Sequence, residues 1–285
     1  MTAAQAIRQA AERLAASSDT ARLDAEVLMA HALGVSRTDL LLRRMADPAP
    51  AGFAGLVARR LGHEPVAYIV GQQDFFGLPL RVSPAVLIPR GDSEVLVEAA
   101  LAARPDARRL LDCGTGSGAL LLAVLANLKE ARGIGIGIDR SPDALEIARG
   151  NAETLGLADR AEMRVADWHR SGWSEGLGRF DLILANPPYV EAAAELAPSV
   201  REHEPAGALF AGADGLDDYR VLVPQLPGLL AEGGVALVEI GATQGPAVTA
   251  LAEAAGLSAR LHHDLAGRPR VLEFKIPLGK PFASA

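Results

Sequence analysis

The spacing of hydrophobic positions changes twice along the chain. Over residues 3–17 and 20–33, Ala and Leu recur at helical intervals among charged residues, and the second stretch opens near Asp19-Thr20 and closes at Gly34. Ser36-Arg37-Thr38-Asp39 opens a third such stretch, and a fourth over 51–61 stops at Gly62. Ser, Thr and Asp satisfy the free N–H groups at a helix start, and Gly adopts the left-handed turn that ends one. The pattern therefore predicts a small helical bundle. Between Ala67 and Ser83 it becomes β-type, with runs Ala67-Tyr68-Ile69-Val70 and Leu78-Pro79-Leu80-Arg81-Val82 around a turn near Gly77, which predicts a β-hairpin. Phe75 and Phe76, side by side between these runs, read as core and not as a ligand cage.

Beyond the hairpin, apolar runs of strand length alternate with helical segments. Strands are predicted over Arg109–Cys113, Gly133–Asp139, Ala161–Ala166, Phe180–Asn186, Val235–Ile240 and two final runs, 258–263 and 270–276, that form a terminal hairpin. Helices are predicted over 94–103 (capped by Asp92 or Ser93), after the glycines of 114–118, and over 142–155, 218–231 and 244–255. Alternation of this kind builds an α/β fold on a mostly parallel sheet, here of seven strands. The expected organisation is a helical domain over 1–66, a hairpin linker over 67–85 and a catalytic domain over 86–285. Residues 190–217, without clear periodicity, are long enough for a functional loop or lid.

Composition narrows the partners. With 285 residues, 49% of them hydrophobic, the chain can bury a large core. A formal net charge of -7 offers no basic face for wrapping nucleic acid, so no direct nucleic-acid partner is expected. One cysteine, Cys113, precludes an intramolecular disulfide and any Cys-rich metal site, in keeping with a reducing cytosol. Met1-Thr2-Ala3-Ala4-Gln5 does not open a secretion signal, and no apolar run approaches the roughly 20 residues of a membrane span. A soluble cytoplasmic protein, monomeric and without a membrane partner, is expected. His262-His263 precede Asp264, but no third ligand falls at metal spacing, so they read as surface residues and no metal is expected.

The candidate chemistry lies where predicted strands stop. Asp112-Cys113-Gly114-Thr115-Gly116-Ser117-Gly118 joins a strand to a helix through glycines that let backbone approach a ligand closely. Its G-x-G-x-G spacing differs from the G-x-G-x-x-G of a dinucleotide site, and Asp112 suits an amino group better than a pyrophosphate. Asp139, ending the next strand, can take both hydroxyls of a ribose. Asp167 can accept from an adenine amine, while Trp168 offers a backbone N–H or an aromatic wall, or simply packs in the core. A ligand with an amino-acid end and a nucleoside end fits this series, which favours S-adenosylmethionine over NAD. The strand Phe180–Ala185 then stops at Asn186-Pro187-Pro188-Tyr189. The prolines fix φ, so the Asn186 side-chain carbonyl and the Pro187 backbone carbonyl can be held facing a planar NH2 group, with Tyr189 as a flat neighbour. Arg90 and Glu94 can shape the mouth of a site or form an ordinary surface pair.

Taken together, Asp112 to Gly118, Asp139, Asn186 to Tyr189, Ile88-Pro89-Arg90 with Glu94, and Ala213-Asp214-Gly215-Leu216-Asp217-Asp218-Tyr219-Arg220 resemble the HemK/PrmC-type family of bacterial release factor N(5)-glutamine methyltransferases. The resemblance runs from Arg22-Leu23-Asp24-Ala25-Glu26 to Ala266-Gly267-Arg268-Pro269-Arg270-Val271. One departure is Gly91, where the family has Pro after the Arg; it loosens that turn. The resemblance implies a Rossmann-like class I methyltransferase sheet and S-adenosylmethionine as methyl donor, with S-adenosylhomocysteine as product. It further implies that the acceptor is the Gln of a Gly-Gly-Gln loop in a peptide chain release factor. The helical domain, which lacks catalytic residues, is expected to dock that substrate. Asn186, Pro187, Pro188 and Tyr189 would hold the acceptor amide; Asp112, Gly114, Thr115, Gly116, Ser117, Gly118, Asp139, Asp167, Trp168 and Asn186 would hold the cofactor. A ribosomal-protein glutamine or an exocyclic base amine is the alternative acceptor, because the same amine clamp suits both.

Overall fold

The structure, a computed structural model, describes residues 1–128 and 133–277. It divides into two units, Met1–Gln72 with Leu196–Glu204, and Gln73–Glu195 with Pro205–Ala285.

The first unit is helical: α1 (Ala3–Leu14), α2 (Ala21–Leu33), α3 (Arg37–Asp39) running into a π-helical turn Leu40–Arg44, α4 (Phe53–Leu61) and α5 (Val66–Val70). Thr2 and Gln5 form a reciprocal capping box at the start of α1, which buries Ala3, Ala6, Ile7, Ala10 and Leu14 along one face. Charged side chains tie the bundle together as well. Buried Asp24 accepts from Arg60 Nε at 2.7 Å and from the Ser18 and Thr20 hydroxyls, both at 2.8 Å. Buried Glu26 is gripped by Arg22 at 2.6 Å and Arg37 at 2.7 Å. Burial opposes ionisation of Glu26, but the hydrogen bonds from the two arginines win and hold its carboxyl below the ordinary range.

The run Ala67-Tyr68-Ile69-Val70, expected as a strand, is helical in α5. Pro65 at its N-cap and left-handed Gly71 (φ 78°) at its C-cap bracket a helical turn, and these ends override the β-branched residues between them. The hairpin therefore starts later, pairing β1 (Gln72–Phe75) with β2 (Leu78–Arg81).

The second unit continues with α6 (Glu94–Ala103), β3 (Arg109–Cys113), α7 (Ala119–Asn127), β4 (Ile134–Asp139), α8 (Pro142–Thr154), β5 (Ala161–Val165) and β6 (Phe180–Ala185). After the short α9 (Pro198–Arg201), which belongs to the helical unit, come α10 (Asp217–Leu222), α11 (Leu226–Leu229), β7 (Leu230–Glu239), α12 (Gly245–Ala254), β8 (Ser258–His263) and β9 (Pro269–Lys275). Seven strands form one sheet in the order β5-β4-β3-β6-β7-β9-β8, parallel except for β9. Both faces are covered, because alternate residues of each strand serve opposite cores. Leu110, Leu182, Leu184 and Leu237 pack on one face with residues of α6 and α7. Leu111, Cys113, Ile183, Ala185 and Val238 pack on the other with Tyr219, Leu222 and Val248.

The segment expected as a single helix over 218–231 is broken into α10, a 3-10 turn Val223–Gln225 and α11. Pro224 and Pro227 each lack the N–H that a continuous helix needs. β7 accordingly begins at Leu230, earlier than expected. Residues 190–217 hold a parallel bridge between Val190 and Phe210, α9 and a 3-10 turn Ala206–Ala208.

Candidate active site

The chain runs from β3 through β4 to β5 on one side of the sheet, then crosses back to place β6 against the other side of β3. Open α/β sheets bind ligands at such a reversal, outside the carboxyl ends of the strands. Cys113 lies opposite Ala185 in the β3–β6 register. The next residues, Gly114 and Asn186, therefore leave the sheet side by side.

The glycine loop is shaped by backbone conformation. Gly114, Gly116 and Gly118 take φ of 77°, 53° and 83°, a region that side-chain-bearing residues avoid. At Gly114 a Cβ would also press on the indole ring of Trp168, 3.1 Å away. Two carboxylates fasten the loop from the sheet side. Asp112 Oδ2 accepts from the Thr115 hydroxyl at 2.6 Å, and Asp139 Oδ2 accepts from Gly116 N at 3.0 Å while its Oδ1 accepts from Ser141 N at 2.9 Å. Asp112 is fully buried, and its Oδ1 has no hydrogen-bond partner among the described residues. Burial pushes its carboxyl up to about 7, against hydrogen bonds from the Thr115 hydroxyl and the Leu121 backbone that favour the charged form.

Gly114, Thr115, Gly116 and Ser117 line a cleft together with Asp139, Asp167, Trp168, Asn186 and Pro188. Trp168 is both of the things its sequence position allowed: its ring packs against the core, and it walls the cleft. Asp218 fixes that wall, accepting from Trp168 Nε1 at 3.1 Å and contacting His169 Nε2 at 2.9 Å. Gln225 adds a bond from Nε2 to the Trp168 carbonyl at 3.1 Å. Asp112, Gly118, Pro187 and Tyr189 do not line the cleft. Asp112 and Gly118 lie behind the loop they shape.

Pro187 and Pro188 are buried after β6, and the Tyr189 hydroxyl points back to Glu239 Oε1 at 3.4 Å, at the end of β7. Burial, then the charge of Glu239, push the Tyr189 phenol up to about 12. Burial pushes Glu239 itself up to about 7, against a hydrogen bond from Ser93 and the charge of Arg270. Its Oε2 has no partner among the described residues.

The Arg90–Glu94 segment is pinned at successive positions despite Gly91. Asp92 pairs with Arg270 at 2.7 Å, Ser93 reaches Glu239, and Glu94 accepts from Phe76 N at 2.8 Å. Arg90 and Ser93 line the cleft, whereas Glu94 secures the hairpin turn. Ser93 makes no side-chain capping bond to α6. His262, expected at the surface, is partly enclosed, with Nε2 2.8 Å from Glu273 Oε2; His263 is exposed.

Sequence reasoning missed several lining residues, among them Phe75, Arg140, His169, Pro205 and Gly207. Arg140 directly follows Asp139, and this adjacency was an available signal. It donates from Nη2 to the Gly207 carbonyl at 2.6 Å, which brings the Ala206–Ala208 turn to the cleft.

Comparison with known proteins places this architecture. The family model described as the PrmC N-terminal domain matches residues 5–71, and that of a methyltransferase domain matches residues 105–256. A protein of Cereibacter sphaeroides named release factor glutamine methyltransferase is 45% identical, the match covering 97% of this chain and 99% of that one. One of the same name from Caulobacter vibrioides is 41% identical, covering 99% of each. Among solved structures, a methyltransferase from Pyrococcus furiosus superposes with a TM-score of 0.50 at 18% identity, covering 78% of this chain and 98% of that one, a likeness of fold. The seven-stranded sheet with its cleft at the β3–β6 reversal is a class I methyltransferase domain, and the chain belongs to the release factor glutamine methyltransferase family.

Proposed function

We propose that the protein transfers a methyl group from S-adenosylmethionine to the side-chain amide nitrogen of the Gln in the Gly-Gly-Gln loop of a peptide chain release factor. The observation that carries this reading is the placement of Asn186 beside the glycine loop, in one cleft with Asp139, Asp167 and Trp168. The names of the full-length relatives supply the acceptor.

The residues present fit the donor. The positive-φ glycines would let backbone meet its amino-acid end, Asp139, while holding Gly116 and Ser141, would offer its carboxylate to the ribose hydroxyls, and Asp167 with Trp168 would offer an acceptor and a ring to adenine. Asp112 acts through the loop, holding Thr115, and its buried Oδ1, without a partner among the described residues, favours a cationic group nearby. When bound, S-adenosylmethionine supplies an electrophilic methyl on a sulfonium centre.

An amide nitrogen is a poor nucleophile because its lone pair is shared with the carbonyl. In this reading the Asn186 side-chain oxygen, which lines the cleft, accepts one amide hydrogen, and the backbone carbonyl of the next residue, Pro187, whose position lies outside the cleft lining, accepts the other once substrate is seated, which aims the nitrogen and stabilises positive charge developing on it through preorganised dipoles. A strong general base is unnecessary, since the methylated nitrogen is acidic enough to release its proton to water. The helical unit docks the protein substrate, and the enzyme works as a monomer in the cytoplasm, where release factors act. No helix among the described residues is long and apolar enough to cross a membrane.

Incubating the protein with a release factor and S-adenosylmethionine tests the assignment by mass spectrometry of tryptic peptides. One added methyl on the Gly-Gly-Gln glutamine is expected, and none on a Gln→Glu acceptor, which presents no NH2 group. Label entering RNA, DNA or a ribosomal protein while the release factor stays unmodified would replace the acceptor and leave the clamp chemistry standing.

A further inference from the structure

We propose that Gln244 is a positioning residue for methyl transfer, holding the main chain of Tyr189 while Glu239 holds its hydroxyl, so that the turn carrying Asn186 and Pro187 is braced from behind. This rests on the reading of Asn186 and Pro187 as the acceptor clamp.

Gln244 precedes α12 and is half-buried. Its amide uses both hydrogens and its oxygen at once. Nε2 donates to the Tyr189 carbonyl at 3.0 Å and to the Gly215 carbonyl at 3.1 Å, and Oε1 accepts from Gly241 N at 3.0 Å. Only a side-chain amide of this reach offers two donors and an acceptor on one planar group. Three loops, after β6, before α10 and after β7, thereby meet on a single side chain. The fit is close: Gly215 has φ 70°, and a Cβ there would collide with the Tyr189 carbonyl oxygen.

The other end of Tyr189 is fixed independently. Its hydroxyl reaches Glu239 Oε1, and the Glu239 backbone carbonyl accepts from the Tyr219 hydroxyl at 2.9 Å, seating the end of β7 on α10. Downstream, Val190 N donates to Leu209 O and Ala192 N to Gly212 O, both at 2.8 Å. Pro187 and Pro188 lack N–H groups and can donate no hydrogen bond that would tie the turn. Ala185 in the sheet and the fixed proline φ hold the near end of the 186–189 turn, and the hydrogen bonds at Tyr189 anchor its far end. A clamp made of two carbonyl oxygens works only if both stay in place, and displacement by about 1 Å can cost about 10²-fold in rate.

The test uses the full-length protein and the variants Gln244→Ala and Gln244→Glu, the second keeping size and the acceptor toward Gly241 while losing both donors. Turnover on a release factor is expressed per cofactor-binding site, titrated by calorimetry, so that misfolded molecules do not count. The brace predicts a fall of about 10- to 100-fold in kcat per site in both variants, cofactor Kd within about threefold of wild type, and faster amide hydrogen exchange across residues 186–192 without acceptor. A purely structural role would lower the fraction of competent sites and leave kcat per site unchanged. Unchanged kcat per site overturns the proposal, as does unchanged exchange in 186–192. If the wild-type protein methylates no release factor, the acceptor assignment fails by itself, and the exchange measurement alone then decides the brace.

Discussion

Asp24 and Glu26 in the helical unit and Asp112 and Glu239 in the sheet unit are all buried, yet they are partnered in opposite ways. The helical pair is saturated by charge: Arg60 on Asp24, Arg22 and Arg37 on Glu26. In the sheet pair each carboxylate keeps one oxygen without a hydrogen-bond partner among the described residues, and burial raises both to about 7. A buried charge with its partners in place is architecture, whereas one left short of partners marks a place where a ligand or a reaction meets the protein. Asp112 lies under the glycine loop that lines the cleft, and Glu239 behind Tyr189, which follows the Asn186 turn.

The largest effect is expected on the helical side. Arg60→Ala leaves Asp24 buried without its ion pair and should lower unfolding stability by about 3 kcal/mol in urea titrations, with cofactor affinity unchanged. A fall in cofactor affinity of tenfold or more would show that the helical charges serve the site after all.

A pH titration sharpens the sheet side. Asp112 and Glu239 hold protons more tightly when folded, at about 7, than at their ordinary values of 3.8 and 4.5. Their contribution to stability is thus fully present below about pH 4 and is lost as pH rises through about 7. Each unit of displacement corresponds to about 1.4 kcal/mol. Urea midpoints should decline between pH 5 and pH 8, and Glu239→Gln should flatten part of that decline. A midpoint that climbs over this range in the wild type, and is unaffected by the substitution, would reverse the assignment.

A smaller effect is expected from Asp112→Asn. The amide can still accept from Thr115 but carries no charge, so calorimetry at pH 8 should show cofactor binding weakened by about tenfold, about 1.4 kcal/mol. Stability at that pH should be maintained or raised, because a buried charge has been removed. Weaker folding with unaltered cofactor affinity would make Asp112 architectural, like Asp24.

Legibility from sequence followed the same division. The strands ending at Cys113, Asp139 and Ala185 are buried on both faces and so read as short apolar runs stopped by Gly, Asp or Asn-Pro, which also exposes the residues at their carboxyl ends. Five residues such as Val66–Val70 give no period to distinguish helix from strand; only Pro65 and Gly71 at their ends decide it. The break at Pro224 and Pro227 lies inside a segment whose apolar spacing reads as one helix, because two missing N–H groups do not alter that spacing. Tertiary partners lay beyond reach. Glu239 is 50 residues from Tyr189, Asp218 is 50 from Trp168 and Gln244 is 55 from Tyr189, so no local pattern joins them. Asn186 was found because the strand before it and the prolines after it are adjacent; the brace behind Tyr189 was not, because it is assembled from three separate loops.

In the proposed reaction the carbonyls of Asn186 and Pro187 position and polarise an acceptor amide. The most direct measurement is single-turnover methyl transfer by Asn186→Ala to a release factor, followed by mass spectrometry, with cofactor affinity measured on the same preparation. The expected rate is lower by about 10²–10³, by analogy with loss of one preorganised hydrogen-bonding group, with a much smaller change in cofactor affinity. A variant that binds cofactor normally and methylates the Gly-Gly-Gln glutamine at the wild-type rate would contradict it.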